Sequence, residues 1–447
     1  MSILTSLFTG VSGLIVNGTA LSVIGDNIAN SNTVGFKGGR SIFGDVLSQA
    51  LAGSSTTQIG RGANLLRTQV MFTQGNFETS ANPLDMAVDG EGFFVVKETS
   101  GGTFYTRSGQ SGIDNNGYII SPTGLRYQGF IYSNGVLQIG NPQDINVSSV
   151  SSSPSATATI SLQANLDSRE SAPAAWAFVA GATGPSSDQY NFNTTMTVYD
   201  SQGNDHAVGV YFRKTATTNL WEAHFVYNDN QSGAADPTRY VEVDFDLGTA
   251  GTQPLYLEFG SDGTLSKVDN VNPPVTGVVA NTGTFDFSWW TAAAADQSID
   301  ISMGYSGQNS TQFGSPSSMV FQSQDGWTSG ALRALTIGGD GTIAGVFTNG
   351  QVKNIAQIIL AKFTSPQGLT KMGKSLYAES HDSGQPVIGA PNNSGRGGIL
   401  PNTVELSNVD IAEEFVRMIA AQRGFQANAR VITTSDSMLS EVTNIMR

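Results

Sequence analysis

At 447 residues the chain has room for roughly two to four domains, and its lack of cysteine excludes disulfides, thiolate metal sites and thiol catalysis. A formal net charge of -14 argues against nucleic acid or an anionic membrane surface as partner. Charged residues make up 13% of the chain and glycine numbers 52, a balance typical of β-rich, turn-rich, exposed proteins rather than helical enzymes.

In chain order, the first element is a helix over residues 1–30. Leu4, Leu7, Val11, Leu14, Gly18, Leu21, Gly25 and Ile28 step 3-4-3-4, which sets one seam along a helix. Gly10, Gly13, Gly18 and Gly25 each cost about 0.5–1 kcal/mol there relative to alanine. Such a helix is expected to order only against a partner. Asn27, Asn30, Asn32 and Gly35 end it. The first basic residue is Lys37, so the basic start of a cleavable signal is missing and an uncleaved N-terminus is expected. Serine, threonine, asparagine and glycine interrupt the apolar run, and no membrane insertion is expected.

Residues 31–75 read as an extended connector with a short helix near Ser41–Ala52. Strands follow. Gly90 and Gly92 mark a turn before a β run from Phe93 to Val96, and Asn116-Gly117 and Asn134-Gly135 are hairpin signals. A serine-rich boundary at Val147–Thr159 opens a second β region, with alternation on both sides of a turn near Gly203-Asn204 and a turn at Ser261-Asp262-Gly263. Trp289 and Trp290 are expected in a core strand. A further boundary falls near Ser306–Ser315. Asp340-Gly341 and Asn349-Gly350 signal more hairpins, a strand is expected from Ile355 to Phe363, and residues 383–398 read as extended. The chain ends in a helix from about Asn408, with Phe415, Met418, Phe425, Ala429, Ile432, Leu439 and Met446 on one 3-4 register, interrupted by Gln422, Asp436 and Thr443. Glu413/Arg417 and Glu414/Arg417 are expected as surface pairs worth a few tenths of a kcal/mol each.

Catalysis finds no support. The three histidines, His206, His224 and His381, lack the tight spacing of a zinc site. Asp205-His206 is expected at a solvated turn. Gly395-Arg396-Gly397-Gly398 lacks the Lys-Ser/Thr of a phosphate loop, and Asp340-Gly341 lacks the ligand ladder of a calcium loop. No enzyme activity, cofactor or metal is expected.

Three motifs in sequence order are recognisable together. S-N-T-V-G-F-K at 31–37, with Asn32, Gly35, Phe36 and Lys37, follows the N-terminal helix. N-P-L-D-M-A-V-D-G-E-G-F-F-V-V at 82–96 holds Asp89, Gly90 and Gly92, and is followed by Y-T-R-S-G at 105–109. L-S-N-V-D-I-A-E-E-F-V-R-M-I-A-A-Q-R-G-F-Q-A-N at 406–428 holds Asn408, Asp410, Gln422 and Arg423. Together they resemble the bacterial flagellar rod and hook axial proteins. V-Y-D-S-Q-G-N at 198–204, inside a large insert, resembles the hook branch of that family.

The resemblance implies a mainly β, elongated, nested multidomain protein with terminal α-helices. Residues 1–30 and 405–447 would form a coiled-coil inner-tube domain, 31–75 and 384–404 a connector, 76–147 and 313–383 an inner β domain, and 148–312 an outer β insert. It implies a structural subunit that polymerises into a hollow, curved tube, a universal joint passing torque from rod to filament and a channel for export. Assembly residues would be Leu4, Leu7, Val11, Leu14, Leu21 and Ile28 on the first helix, and Phe415, Met418, Phe425, Ile432, Leu439 and Met446 on the last. Implied partners are further copies, a distal rod protein at the base, a hook–filament junction protein at the tip, a cap during assembly and the flagellar type III export apparatus. The implied place is the extracellular hook. The alternatives are a distal rod protein with an unusual insert, or a secreted β-rich adhesin using Trp289, Trp290 and Trp327 as a sugar platform.

Overall fold

The computed structural model describes residues 3–46, 60–148, 150–178, 184–228, 240–243, 245, 253–270, 272, 274, 281–285, 297–305 and 307–445. Trp289, Trp290, Met446 and residues 47–52 of the expected short helix lie outside them. The chain divides into two compact units: 1–150 with 333–346 and 352–447, and 151–332 with 347–351.

Among the described residues, the first unit holds two α-helices, α1 (Ile3–Ala29) and α2 (Ile411–Ile445). Asp410 caps α2: its Oδ1 accepts the backbone N–H of Ala412 (2.8 Å) and Glu413 (3.2 Å), satisfying donors the first turn leaves unpaired. Over Ser6–Ala29, α1 is long and apolar enough by length and composition to cross a membrane, although only 11% of that window is buried within the chain. This corrects the expectation that polar interruptions rule such a window out. Serine, threonine, asparagine and glycine interrupt the run there, but Asp26 is its only charge.

Residues expected as an extended connector are woven into this unit. β1 (Gly39–Asp45) and β2 (Ala63–Val70) pair antiparallel, so Ser41–Asp45 is strand where a helix is expected. The backbone groups of an extended segment need partners, and the pairing supplies them. Phe77–Thr79 pairs with Thr403–Glu405, and Met86–Asp89 with Gly398–Pro401, so the outgoing and returning chain run side by side. The large sheet then orders the strands 332–337, 342–347, 352–358, 126–133, 93–97, 103–106, 376–378 and 370–373. The strand expected over Ile355–Phe363 is two: Val352–Ile358 and Leu360–Lys362. Asn134 and Gly135, both at positive φ, join Ser133 to its partner Val136 in a two-residue hairpin turn. Phe93, Tyr105, Phe363 and Tyr377 pack edge to face in the core.

Among the described residues, the second unit packs its two larger sheets into a sandwich. One contains β3 (Phe192–Tyr199), β4 (Asp205–Lys214) and β5 (Leu220–Asn228), followed by the strands Leu255–Phe259 and Leu265–Asp269, with β6 (Tyr240–Glu242) beside β5. The other orders the strands 281–285, 297–302, 159–165 and 318–324. Leu162, Val198, Phe212, Trp221, Phe225, Leu257 and Ile299 share one core drawn from both sheets. Ser318–Gln324 pairs with Thr159–Asn165, which keeps residues 313–332 in this unit rather than in the inner β domain expected from sequence. His206 is also corrected. It is 1% exposed, with Nε2 3.3 Å from Asp200 Oδ2, because it lies on the inward-facing side of β4, two residues before Val208.

Candidate assembly site: the helix pair and its buried junction

The two helices pack side by side and antiparallel. Gly10 lies against Ile432 and Asn428, and Gly13 against Asn428; further along, Asn17 lies against Gly424. The contact is reciprocal. Asn17 Nδ2 donates to the Gly13 carbonyl of its own helix (2.8 Å), and Asn428 Nδ2 donates to the Gly424 carbonyl of its own (2.9 Å). Each asparagine side chain is thus pinned along its helix and covers the glycine of the other. A Cβ built on Gly13 would fall 2.5 Å from Asn428 Cγ, and one on Gly424 2.7 Å from Asn17 Oδ1. Gly10 and Gly13 are sites of close approach, while Gly18 has open space where its Cβ would be.

The face α2 turns to α1 therefore differs from the expected seam. Glu414, Ala421 and Ser435 are its buried residues. Met418, Ala429, Ile432 and Leu439 are partly buried, whereas Phe415 (49%) and Phe425 stay exposed. On α1 the buried positions among the described side chains are Gly10, Ile24 and Asn27. Leu7, Leu14, Leu21 and Ile28 are partly covered, and Val11 is exposed. Leu4 lies in α1, with its side chain outside the described residues. Small and polar residues make the closest approaches, and some large apolar ones are left over: Phe8 (67%), Ile15 (63%), Val416 (68%) and Ile419 are exposed. Glu414 also departs from its expected surface role. It is buried and accepts a hydrogen bond from Arg417 at 3.0 Å, while Glu413 on the outer side accepts one at 2.5 Å.

Where the helices meet the β structure, the motif residues gather. Lys37 and Glu405, both fully buried, form an ion pair at 2.5 Å. Lys37 Nζ also donates to the Thr73 carbonyl (2.7 Å), and Glu405 Oε1 accepts the Gly75 N–H (2.9 Å). Arg107 lies 3.6 Å from Glu405 Oε2 and donates to the Gly90 carbonyl. Burial lowers the Lys37 pKa below the ordinary lysine range, and the Glu405 carboxylate works against that shift.

Asparagines clamp the backbone around the pair. Asn27 accepts the Gly39 N–H and donates to the Gly39 carbonyl, both at 2.8 Å. Asn408 accepts the Gly38 N–H (2.8 Å) and donates to the Met71 carbonyl (2.8 Å) and to Thr73. Gly35, at φ +70, donates its N–H to the Glu405 carbonyl. Phe36 is buried and carries Lys371 over its ring at 4.6 Å.

The remaining motif positions lie around this knot, and of these Gly90 touches it through its carbonyl. Asn32 sits exposed in the turn after α1; Asp89 ends the strand Met86–Asp89 and accepts from Gln74; Gly90 and Gly92 turn the chain at positive φ; Gln422 and Arg423 are exposed on α2. Sequence reasoning missed Glu405 and the clamping role of Asn27. An isolated glutamate beside an apolar run carries no local sign that it will be buried against a lysine 368 positions away.

Two helices from opposite chain ends, locked to a β body with a β insert, define an axial protein of the flagellar rod and hook class. Family models agree along the chain: the flagella basal body rod protein over residues 7–37, the flagellar hook protein FlgE/F/G D1 domain over 87–161, the flagellar basal body protein FlaE D2 domain over 165–327, and the flagellar basal body rod FlgEFG protein C-terminal region over 400–445. The flagellar hook protein FlgE of Borreliella burgdorferi is 33% identical, covering 98% of this chain and 99% of its own length. That of Escherichia coli K12 is also 33% identical, over 97% and 98%, and that of Brucella suis 28% over the whole of both chains. The crystal structure of Helicobacter pylori flagellar hook protein FlgE2 aligns at 15% identity and a TM-score of 0.45, over 72% of this chain and 98% of that one.

The chain belongs to the flagellar hook protein FlgE family and is a structural subunit of the bacterial flagellar hook.

Proposed function

We propose that the chain polymerises through its terminal helices into a hollow, curved hook that passes torque while bending and leaves an export channel along its axis. One observation carries this reading. The helix pair satisfies itself with small and polar contacts and leaves large apolar side chains, Phe8, Ile15, Val416 and Ile419 among them, exposed on the monomer. Apolar side chains left along both helices are what further copies would cover, and heterologous contacts that do not close into a ring build helical tubes. The buried Lys37–Glu405 junction fixes the helices to their own β body. Bending is therefore assigned to sliding between neighbouring subunits, across surfaces low in charge and rich in serine, threonine and asparagine, rather than to a loose connector within the chain.

The partners in this reading are further copies, a distal rod protein at the base, a junction protein at the tip, a cap during growth and the type III export apparatus, with the finished hook outside the cell. No catalytic step is assigned to the chain. Negative-stain microscopy of the purified chain should show short curved tubes, and removing residues 1–28 should abolish them. Tubes formed by the truncated chain would overturn the helical-wall reading. For export, residues 1–75 fused to a reporter should be secreted only by cells with a working flagellar export apparatus.

A further inference from the structure

On β5, Trp221, Ala223, Phe225 and Tyr227 point into the sandwich core, so Glu222 and His224 point away from it. An outward histidine on a sheet is ordinarily wet, yet His224 is 3% exposed. What covers it is a strap, residues 168–178, which starts beside Lys214 at the end of β4 and reaches the outer face of β4 and β5 at Ala174 and Trp176. Lys214 Nζ donates to the carbonyls of Ser168 (2.6 Å) and Glu170 (2.7 Å), and Arg213 Nε donates to that of Ala174 (3.1 Å). At the end of the strap the Trp176 indole stacks on the His224 ring, centroids 3.9 Å apart and planes 16° from parallel, and Trp176 Nε1 donates to Glu242 Oε2 at 3.1 Å.

We propose that Trp176 and His224 form a pH-sensitive latch that holds the 168–178 strap on the outer face of the six-stranded sheet. Among the described residues, these groups face His224 or its carboxylate partners. β6 gives Glu242, whose Oε1 is 2.6 Å from His224 Nδ1; β5 itself gives Glu222, 3.6 Å from Nε2. β4 gives Tyr211, directly opposite, and Arg213, 2.5 Å from Glu222. The strand Leu255–Phe259 gives Tyr256, paired with Glu222.

With the imidazolium present, two cations face two carboxylates and the cluster is neutral. The cation also lies on the face of an indole, a favourable cation–π arrangement. Once the proton leaves, a buried negative charge is left over, the Nε2 lone pair faces the Glu222 carboxylate, and the cation–π contact is gone. Burial alone would lower the His224 pKa; the hydrogen bond to Glu242 and the charges of Glu222 and Glu242 outweigh it and raise the value above the ordinary 6.5. The sign follows. The stabilisation is fully present below the unfolded pKa and is lost as pH rises through the raised folded value. The strap thus loosens on the alkaline side, exposing the outer faces of β4 and β5.

The test uses the full chain. With three histidines, selectively labelled imidazole resonances can be followed between about pH 6 and about pH 10. Trp176 emission is taken as the difference between the chain and its Trp176→Phe variant, and strap opening as backbone hydrogen exchange over 168–178. The latch requires a His224 midpoint above 6.5. Trp176 emission should rise along the same curve, as the quenching imidazolium is lost, and strap exchange should speed up with it. His224→Gln should remove the pH dependence of both. A midpoint at or below 6.5 would overturn the latch, as would a titration that leaves emission and exchange flat. If His224→Gln does not fold, the coincidence or divergence of the three curves in the unmodified chain decides.

Discussion

Lys37 and Glu405 bring together residues 368 positions apart, and neither side chain reaches solvent. Such a pair adds little net stability over an apolar replacement, but removing one charge alone leaves the other uncompensated in a low-dielectric site. Glu405→Gln keeps the shape and strands both Lys37 and Arg107. Local opening at residues 70–76 and 403–408, read by hydrogen exchange, should become easier by about 3–5 kcal/mol. Adding Lys37→Met to that variant should return part of the loss, because the stranded lysine is gone. A single variant with unchanged exchange would show that the pair has no such role. At this scale the motif residues Lys37, Gly35, Phe36 and Asn408 were legible in the sequence, since three short motifs in order single them out. Their common partner Glu405 was not, because only the fold brings it to them.

The helices were legible as helices from their 3-4 spacing, but the face each presents to the other was not. Hydropathy marks leucine and phenylalanine, while the closest approaches are built from Gly10, Gly13, Asn17, Gly424 and Asn428, whose value lies in size and in hydrogen bonds along their own helix. The same limit explains β1: residues 41–45 have no strong period of their own, and pairing with β2 decides their state. Two glycines on one helix then separate the effects. Gly18→Ala meets open space and should raise the stability of α1 by about 0.5–1 kcal/mol, seen as a higher melting temperature of the helical circular dichroism signal. Gly13→Ala drives a methyl into Asn428 and should lower it despite the same gain in helix propensity. Equal effects at the two positions would remove the case for a close-packed contact at Gly13.

For the whole molecule, the sequence made the order of helix, β, insert, β and helix visible through turn signals and the serine-rich boundary. The end of the insert was misplaced because the strand Ser318–Gln324 looks like any other until it pairs with Thr159–Asn165. Deleting residues 1–28 removes both the intrachain contacts of α1 and any surface it offers to neighbours, so that deletion alone cannot assign assembly to one of them. The exposed apolar residues can. Phe8, Ile15, Val416 and Ile419 stand in solvent on the monomer, so aspartate at these positions should change its stability by no more than about 0.5 kcal/mol each. In a polymer whose subunits bury them, each aspartate would place an unpaired carboxylate in an apolar contact, which costs several kcal/mol. The combined Phe8→Asp and Val416→Asp chain should therefore melt as the unmodified monomer does and yield no tubes by microscopy at any concentration that otherwise assembles. Normal tubes from that chain would move the assembly surface off the outer faces of the helices and onto the β units.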